Sequence, residues 1–142
     1  TGVYFVDLDN FKGINDVYSH DVGDAALKVV AQTLEQAVRD IDLVVRYGGD
    51  EFVVIVQGLR ASQDADSLAV TIVNAIKNSP AESLPANLLL TASLGYVVTE
   101  SVDDLDSVIR QAESLMRQAK RDGKDRSRRW QADLGQPVEA QR

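Results

Sequence analysis

The chain has 142 residues, 44% of them hydrophobic, and no cysteine, which suits one domain with its own core and excludes disulfides and thiolate metal sites. Only oxygen ligands and the single His20 remain for metal work, which favours Mg²⁺ or Mn²⁺ over zinc. The net charge of −7 divides into −11 over residues 1–116 and +4 over 117–142, so the acidic body argues against nonspecific nucleic-acid binding, while the basic end leaves a local anionic ligand open.

No apolar run reaches the roughly 20 residues of a membrane span, and no signal-peptide pattern opens the chain. Thr1-Gly2 leads straight into Val3 to Leu8, a nearly continuous apolar run that reads as a central strand buried on both faces. Such an opening reads as a cut domain with sequence upstream. A short helical turn over Phe11 to Val17 and a loop over Ser19 to Gly23 follow. Asp24 is placed to N-cap the next helix, whose Ala25, Ala26, Val29, Val30, Leu34, Ala37 and Val38 share one face.

The segment from Leu43 to Val56 reads as a hairpin with adjacent glycines, Gly48 and Gly49, in a two-residue turn of positive φ. Asp64 or Asp66 is expected to start a further amphipathic helix, and Pro80 and Pro85 to bracket a loop. Asn87 to Val98 reads as a strand in which Gly95 marks a bulge or a close approach. Asp103 or Asp104 opens the last helix, Gly123 stops it, and Arg126 to Trp130 forms a short edge strand. The domain thus covers residues 1–130, with 131–142 left as a frayed tail or linker. The order β-α-α-β-β-α-β-α(-β), with a hairpin inside the alternation, predicts an α+β, ferredoxin-like or palm-like fold: a mainly antiparallel sheet flanked by helices.

Two segments carry chemistry. In Asp7-Leu8-Asp9-Asn10-Phe11-Lys12, Asp7 is a carboxylate at the end of a buried strand, costly there unless paired or metal-bound. In Arg46-Tyr47-Gly48-Gly49-Asp50-Glu51-Phe52, bare backbone adjoins paired carboxylates, an arrangement suited to a phosphorylated ligand with a divalent cation. Taken alone, each also reads as a solvated turn or helix cap. If the first strand lies beside the hairpin, Asp7 and Asp50 converge at its tip, the geometry of two-metal nucleotidyl transfer.

Those segments, with Ile14-Asn15-Asp16, His20 and Gly23-Asp24, resemble the GGDEF domain of diguanylate cyclases; Thr91 to Gly95 and Gln118-Ala119-Lys120 resemble its later, weaker signatures. The resemblance runs in order along nearly the whole chain. It implies condensation of two GTP into cyclic di-GMP and two pyrophosphates across a homodimer, in the cytoplasm of a bacterium and fused to an upstream sensor. It further implies Asp7, Asp50 and the Leu8 carbonyl as metal ligands, with Asp50, helped by Glu51, assisting deprotonation of a ribose 3′-hydroxyl. Asp50 ranks above Glu51, since neighbours in an extended chain point to opposite sides.

Asn15 and Asp24 match the guanine-binding pair, whose carboxylate accepts from the N1–H and amine of guanine. Gly48 and Gly49 match the nucleotide cradle, Lys12 and Lys120 phosphate contacts, and His20 a substrate-side position. Lys124 stands where arginine is more usual, keeping the charge but losing the bidentate fork. Arg39 and Asp42 match the Arg-x-x-Asp site at which cyclic di-GMP inhibits its own synthesis. Val17, Ser19 and Arg117 depart from the pattern without removing an expected ligand, and the usual N-terminal helix is absent. A catalytically silent domain that senses GTP or cyclic di-GMP is the alternative; a palm-type cyclase acting on ATP is disfavoured by Asn15 with Asp24.

Overall fold

A computed structural model describes residues 1–59, 61–79, 82–100, 102–131 and 136–139. Strand β1 (Gly2–Leu8) lies at the centre of a six-stranded sheet of order β2-β3-β1-β4-β5-β6. It pairs antiparallel with β3 (Glu51–Val56) on one side and with β4 (Ala92–Val98) on the other. Outside β3 lies β2 (Leu43–Arg46), also antiparallel. The one parallel pair is β4 with β5 (Arg126–Gln131), and β6 (Gln136–Glu139) runs antiparallel to β5. The expected α+β architecture with a mainly antiparallel sheet is therefore present.

Alternation along β1 sorts the core into two layers. Tyr4, Val6 and Leu8 face a cluster that includes Ala26, Val30 and Leu34 of α2 (His20–Ala37) and Ala69, Ile72 and Ile76 of α3 (Ser62–Lys77). Val3 and Phe5 face the opposite way, onto Ile109, Ala112, Leu115 and Met116 of α4 (Leu105–Arg121). The short α1 (Phe11–Val17) follows Asn10, which takes a left-handed backbone (φ 56°), a conformation Asn tolerates better than most residues.

Several boundaries differ from the sequence reading. The segment 19–23 is not a loop: α2 begins at His20, capped by Ser19, whose hydroxyl accepts from the Val22 N–H at 3.1 Å. Asp24 is thus inside the helix rather than at its cap, because a good capping side chain occurs five residues earlier. Helix α3 begins at Ser62 behind Ala61, without a side-chain cap, so neither Asp64 nor Asp66 opens it. Residues 87–91 precede β4 rather than belonging to it. Asp104 caps α4 through the Ser107 N–H, and Gly123 follows its end at φ 126°, both as expected. Arg126 to Trp130 is interior rather than an edge, since Gln136–Glu139 of the supposed tail adds to the sheet beside it. Pro80 lies outside the described residues.

The hairpin tip also differs. Tyr47 and Gly48 N–H groups both donate to the Glu51 carbonyl, at 2.8 and 3.3 Å, closing a four-residue connection. Neither Gly48 nor Gly49 has positive φ. Arg46 supplies what the backbone turn does not, donating to the carbonyls of Gly48 (3.3 Å) and Gly49 (3.2 and 2.7 Å).

Gly95 is the expected close approach. A Cβ there would stand 2.7 Å from the Leu115 carbonyl carbon and closer still to Ala112 O and Met116 N, all backbone of α4. Helix and strand therefore meet backbone to backbone, with no flexible side chain to yield. Gly95→Ala is expected to cost about 3 kcal/mol through overpacking, measurable as a lower urea midpoint; an unchanged midpoint would show that α4 can lift without cost.

Candidate active site

The carboxyl end of β1, the hairpin and the last turns of α4 meet at one place. Asp7 lies directly opposite Glu51 in the β1–β3 register, and the Leu8 N–H donates to the Asp50 carbonyl at 3.2 Å. The Lys120 ammonium of α4 sits 3.1 Å from the Leu8 carbonyl, 3.4 Å from Asp9 Oδ1 and 3.7 Å from Asp7 Oδ2. Asp7 Oδ1 is buried and has no hydrogen-bond partner.

This crowding appears in the acidities. Burial is the main cause that pushes Asp7 up to about 7; Lys120 opposes it, while the Asp50 charge, a hydrogen bond with Asp50 and the Glu51 charge add to it. Glu51 is raised too, first by burial, then by Glu113 and Asp50, against Arg117 and Lys120. The expectation that Asp50 dominates is not separated by this geometry, because both carboxylates act on Asp7 and Glu51 is its register partner.

Among the described residues no group of three or more His, Asp or Glu side chains forms a metal cage. A divalent cation nevertheless fits. The orphaned Asp7 Oδ1 lacks a donor, a second carboxylate adjoins it, and the Leu8 carbonyl supplies another hard oxygen. Lys120 spans the Leu8 carbonyl and Asp7, so the expected phosphate contact stands against the expected metal ligands.

The residues expected to recognise the base lie on the other layer. Gly23 is buried in the first turns of α2, and the Asn15 side chain occupies the space its Cβ would need, with Asn15 Cγ at 2.9 Å from that position. Asn15 thereby lies against the residue that precedes Asp24. Asp24 lines a cavity of about 490 Å³ with Leu27, Lys28, Arg46 and Phe52. Alternation along β3 sends Glu51 toward α4 and Phe52 toward this cavity. The hairpin therefore serves both sides of the sheet. Lys12 and His20 are exposed on their helices, and Lys124 is exposed in the turn after α4 at φ 63°.

Arg39 and Asp42 lie at the other end of β2, about 20 Å along the strand from the glycines. Arg39 donates to Asp42 through Nε and Nη2, both at 3.2 Å, and through its own N–H at 2.9 Å. The Gln57 N–H adds a bond at 3.3 Å, and Arg39 also donates to the Gln57 carbonyl. Burial raises the Asp42 carboxyl, but the bonds from Arg39 and Gln57 and the Arg39 charge outweigh it and hold it below the usual carboxylate range. The pair borders a cavity of about 310 Å³ with Gly58, Leu59 and Asp64.

Sequence reasoning missed two participants. Asp9 is buried and accepts from Thr91 Oγ1 (2.8 Å), Ser93 Oγ (2.6 Å) and the Asp125 N–H (2.9 Å). The signal for it was the spacing of Thr91 and Ser93, two hydroxyls two residues apart at the start of β4. Arg46 was quoted within the motif but given no role, although it clamps the tip and lines the cavity.

The family model described as "Diguanylate cyclase, GGDEF domain" matches residues 1–126. The chain belongs to the GGDEF family. It is 38% identical over 122 residues to the diguanylate cyclase DgcM of Escherichia coli, a match covering 85% of this chain and 28% of that protein. Among solved structures it resembles the GGDEF domain of YfiN (TpbB) from Pseudomonas aeruginosa, at 30% identity over 93% of this chain and 77% of that one, with TM-score 0.83. It also resembles the active GGEEF domain of a diguanylate cyclase from Vibrio cholerae, at 27% identity over 92% and 82% of the two chains, with TM-score 0.81. The chain spans less than a third of the length of DgcM. No helix among the described residues of this GGDEF domain is long and apolar enough to cross a membrane.

The raised Asp7 has a consequence for stability. Between the ordinary value near 4 and about 7 the folded chain holds a proton that the unfolded chain has lost, so the contribution of Asp7 to stability falls as pH rises through that window. In EDTA, Asp7→Asn is expected to gain about 1–2 kcal/mol over the parent at pH 8, after allowance for solvent screening, and to lose that advantage near pH 4. Urea titrations at the two pH values read the difference; an equal effect at both would show that Asp7 is not charged against its neighbours.

Proposed function

We propose that this GGDEF domain condenses two GTP molecules into cyclic di-GMP and two pyrophosphates, with one GTP on each of two chains facing across a two-fold axis. The observation that carries this is the buried, partnerless Asp7 Oδ1 beside Asp50 and Glu51 at the hairpin tip. Two adjoining carboxylates in low dielectric are costly, and a divalent cation is the ligand that offsets the cost. Relatives named diguanylate cyclases support the same reading.

Asn15 and Asp24 orient guanine in the cavity against Leu27 and Phe52. Gly48 and Gly49 admit the phosphates beside bare backbone. Asp50, helped by Glu51, takes the proton of the ribose 3′-hydroxyl. That oxygen attacks the α-phosphate on the opposite chain, the bond to the pyrophosphate oxygen breaks, and Lys12, Lys120 and Lys124 receive the charge that develops. A second, reciprocal attack closes the ring. Mg²⁺ or Mn²⁺ held by Asp7, Asp50 and the Leu8 carbonyl would polarise the phosphate and stabilise the leaving group. His20 stands on the substrate side at the start of α2. An upstream sensor controlling the encounter of two chains completes the proposal.

The test is incubation of the chain, dimerised through an appended leucine zipper, with GTP and Mg²⁺ and chromatographic assay for cyclic di-GMP. Product is expected, reduced about 10³-fold by Asp50→Ala, the loss that removing a general base brings. Full activity of that variant would reject the site. Retained cyclic di-GMP binding without turnover in the parent would favour the sensing reading.

Arg39 and Asp42 form the product-inhibition site in this proposal. They are held together in the free chain, so product must share or displace Asp42 to use the Arg39 fork. Arg39→Ala is expected to raise the inhibition constant for cyclic di-GMP at least tenfold, on the order of one lost charged contact, with the initial rate unchanged. An identical inhibition curve would reject the assignment.

A further inference from the structure

We infer that Asp9 is a positioning residue for the phosphate-binding lysine, an inference that rests on the cyclase reading above. Asp9 is only 5% exposed, and each of its oxygens receives two donors. Oδ1 takes the Ser93 hydroxyl and the Lys120 ammonium, and Oδ2 takes the Thr91 hydroxyl and the Asp125 N–H. These donors come from β4, the residue before it, α4, and the turn leading into β5. Four donors fill the acceptor capacity of a carboxylate, so the oxygens of Asp9 are satisfied by the protein alone.

Its neighbour Asp7 is the opposite case, with one oxygen lacking any donor. Two carboxylates separated by one residue therefore divide the work. Asp7 is left open to a cation from outside, while Asp9 is saturated by the protein. Lys120 is the only side chain in contact with both among the described ion pairs. A divalent cation taking Asp7 and the Leu8 carbonyl would compete with Lys120 at those two atoms. Asp9 is the contact Lys120 keeps, and it holds the ammonium beside the site, where a phosphate can receive it. Asp9 itself touches neither substrate nor cation.

The test is a double-mutant cycle in the zipper-dimerised chain with Asp9→Asn, Lys120→Met and the pair, reading kcat/KM for GTP, melting temperature and affinity for a GTP analogue with a non-cleavable α–β bridge. Asn preserves the shape of Asp9 and two of its acceptor roles. Asp9→Asn is expected to lower kcat/KM about 100-fold, the cost of displacing a charge-stabilising group by roughly 1 Å. In the Lys120→Met background the same change is expected to lower kcat/KM less than threefold, within the limit for a residue acting through its partner. Analogue affinity should follow the same pattern. A penalty of Asp9→Asn that persists undiminished beside Lys120→Met, with the melting temperature falling in parallel, would overturn the inference and leave Asp9 as a structural rivet. Absence of both cyclic di-GMP formation and analogue binding in the parent would instead remove the cyclase reading, and this inference with it.

Discussion

The structure turns on a carboxylate with one oxygen, Asp7 Oδ1, buried and left without a hydrogen-bond partner. Asp7 ends a strand buried on both faces, faces Glu51 across the ladder and lies beside Asp50. Folding therefore concentrates negative charge at a half-buried end of the sheet, where one Asp7 oxygen has no donor. Lys120 relieves part of that charge, while burial, and after it Asp50 and Glu51, raise the Asp7 carboxyl. Every other feature of the site follows from this one: the hairpin that brings its own carboxylates, the helix that brings a lysine, and the second carboxylate that holds the lysine in place.

Both layers of the core serve that point. Helix α4 is pinned by backbone contact at Gly95, so Lys120 has a fixed starting position along the sheet. On the other layer the missing Cβ of Gly23 lets Asn15 lie against α2, next to Asp24. One glycine sets a helix on a strand and the other sets a side chain on a helix.

Much of this was legible in the sequence, for physical reasons. The doubly apolar run Val3 to Leu8 could only be a central strand, and the heptad-like stripe from Leu105 to Ala119 could only be an amphipathic helix. Gly95 inside a strand announced a close approach, and it is one. The errors share a cause: short polar side chains serve equally as caps, turns and tertiary anchors. Ser19 took the cap expected of Asp24, because capping depends on local geometry that composition does not encode. Gly48-Gly49 resembled a two-residue turn, yet Arg46 reaches over to bind their carbonyls and permits a longer tip with ordinary φ. Asp9 was invisible because its four donors lie 82 to 116 residues away in the chain. Long-range polar networks leave no periodic trace.

The division of the site by the sheet also bears on how such a domain can be altered. Asn15, Asp24 and the Phe52 cavity occupy one layer, while Asp7, Glu51 and Lys120 occupy the other. The sheet lies between the pair proposed to bind guanine and the carboxylates with Lys120 proposed to serve the cation and a phosphate, with Lys12 of α1 on the guanine side. In the proposed cyclase, substitutions on α1 and α2 would bear on which base is admitted, while the contact of α4 at Gly95 keeps the spacing of the charged groups. Under the proposed function, the pair assigned to the base and the carboxylates assigned to the cation can therefore change independently of each other.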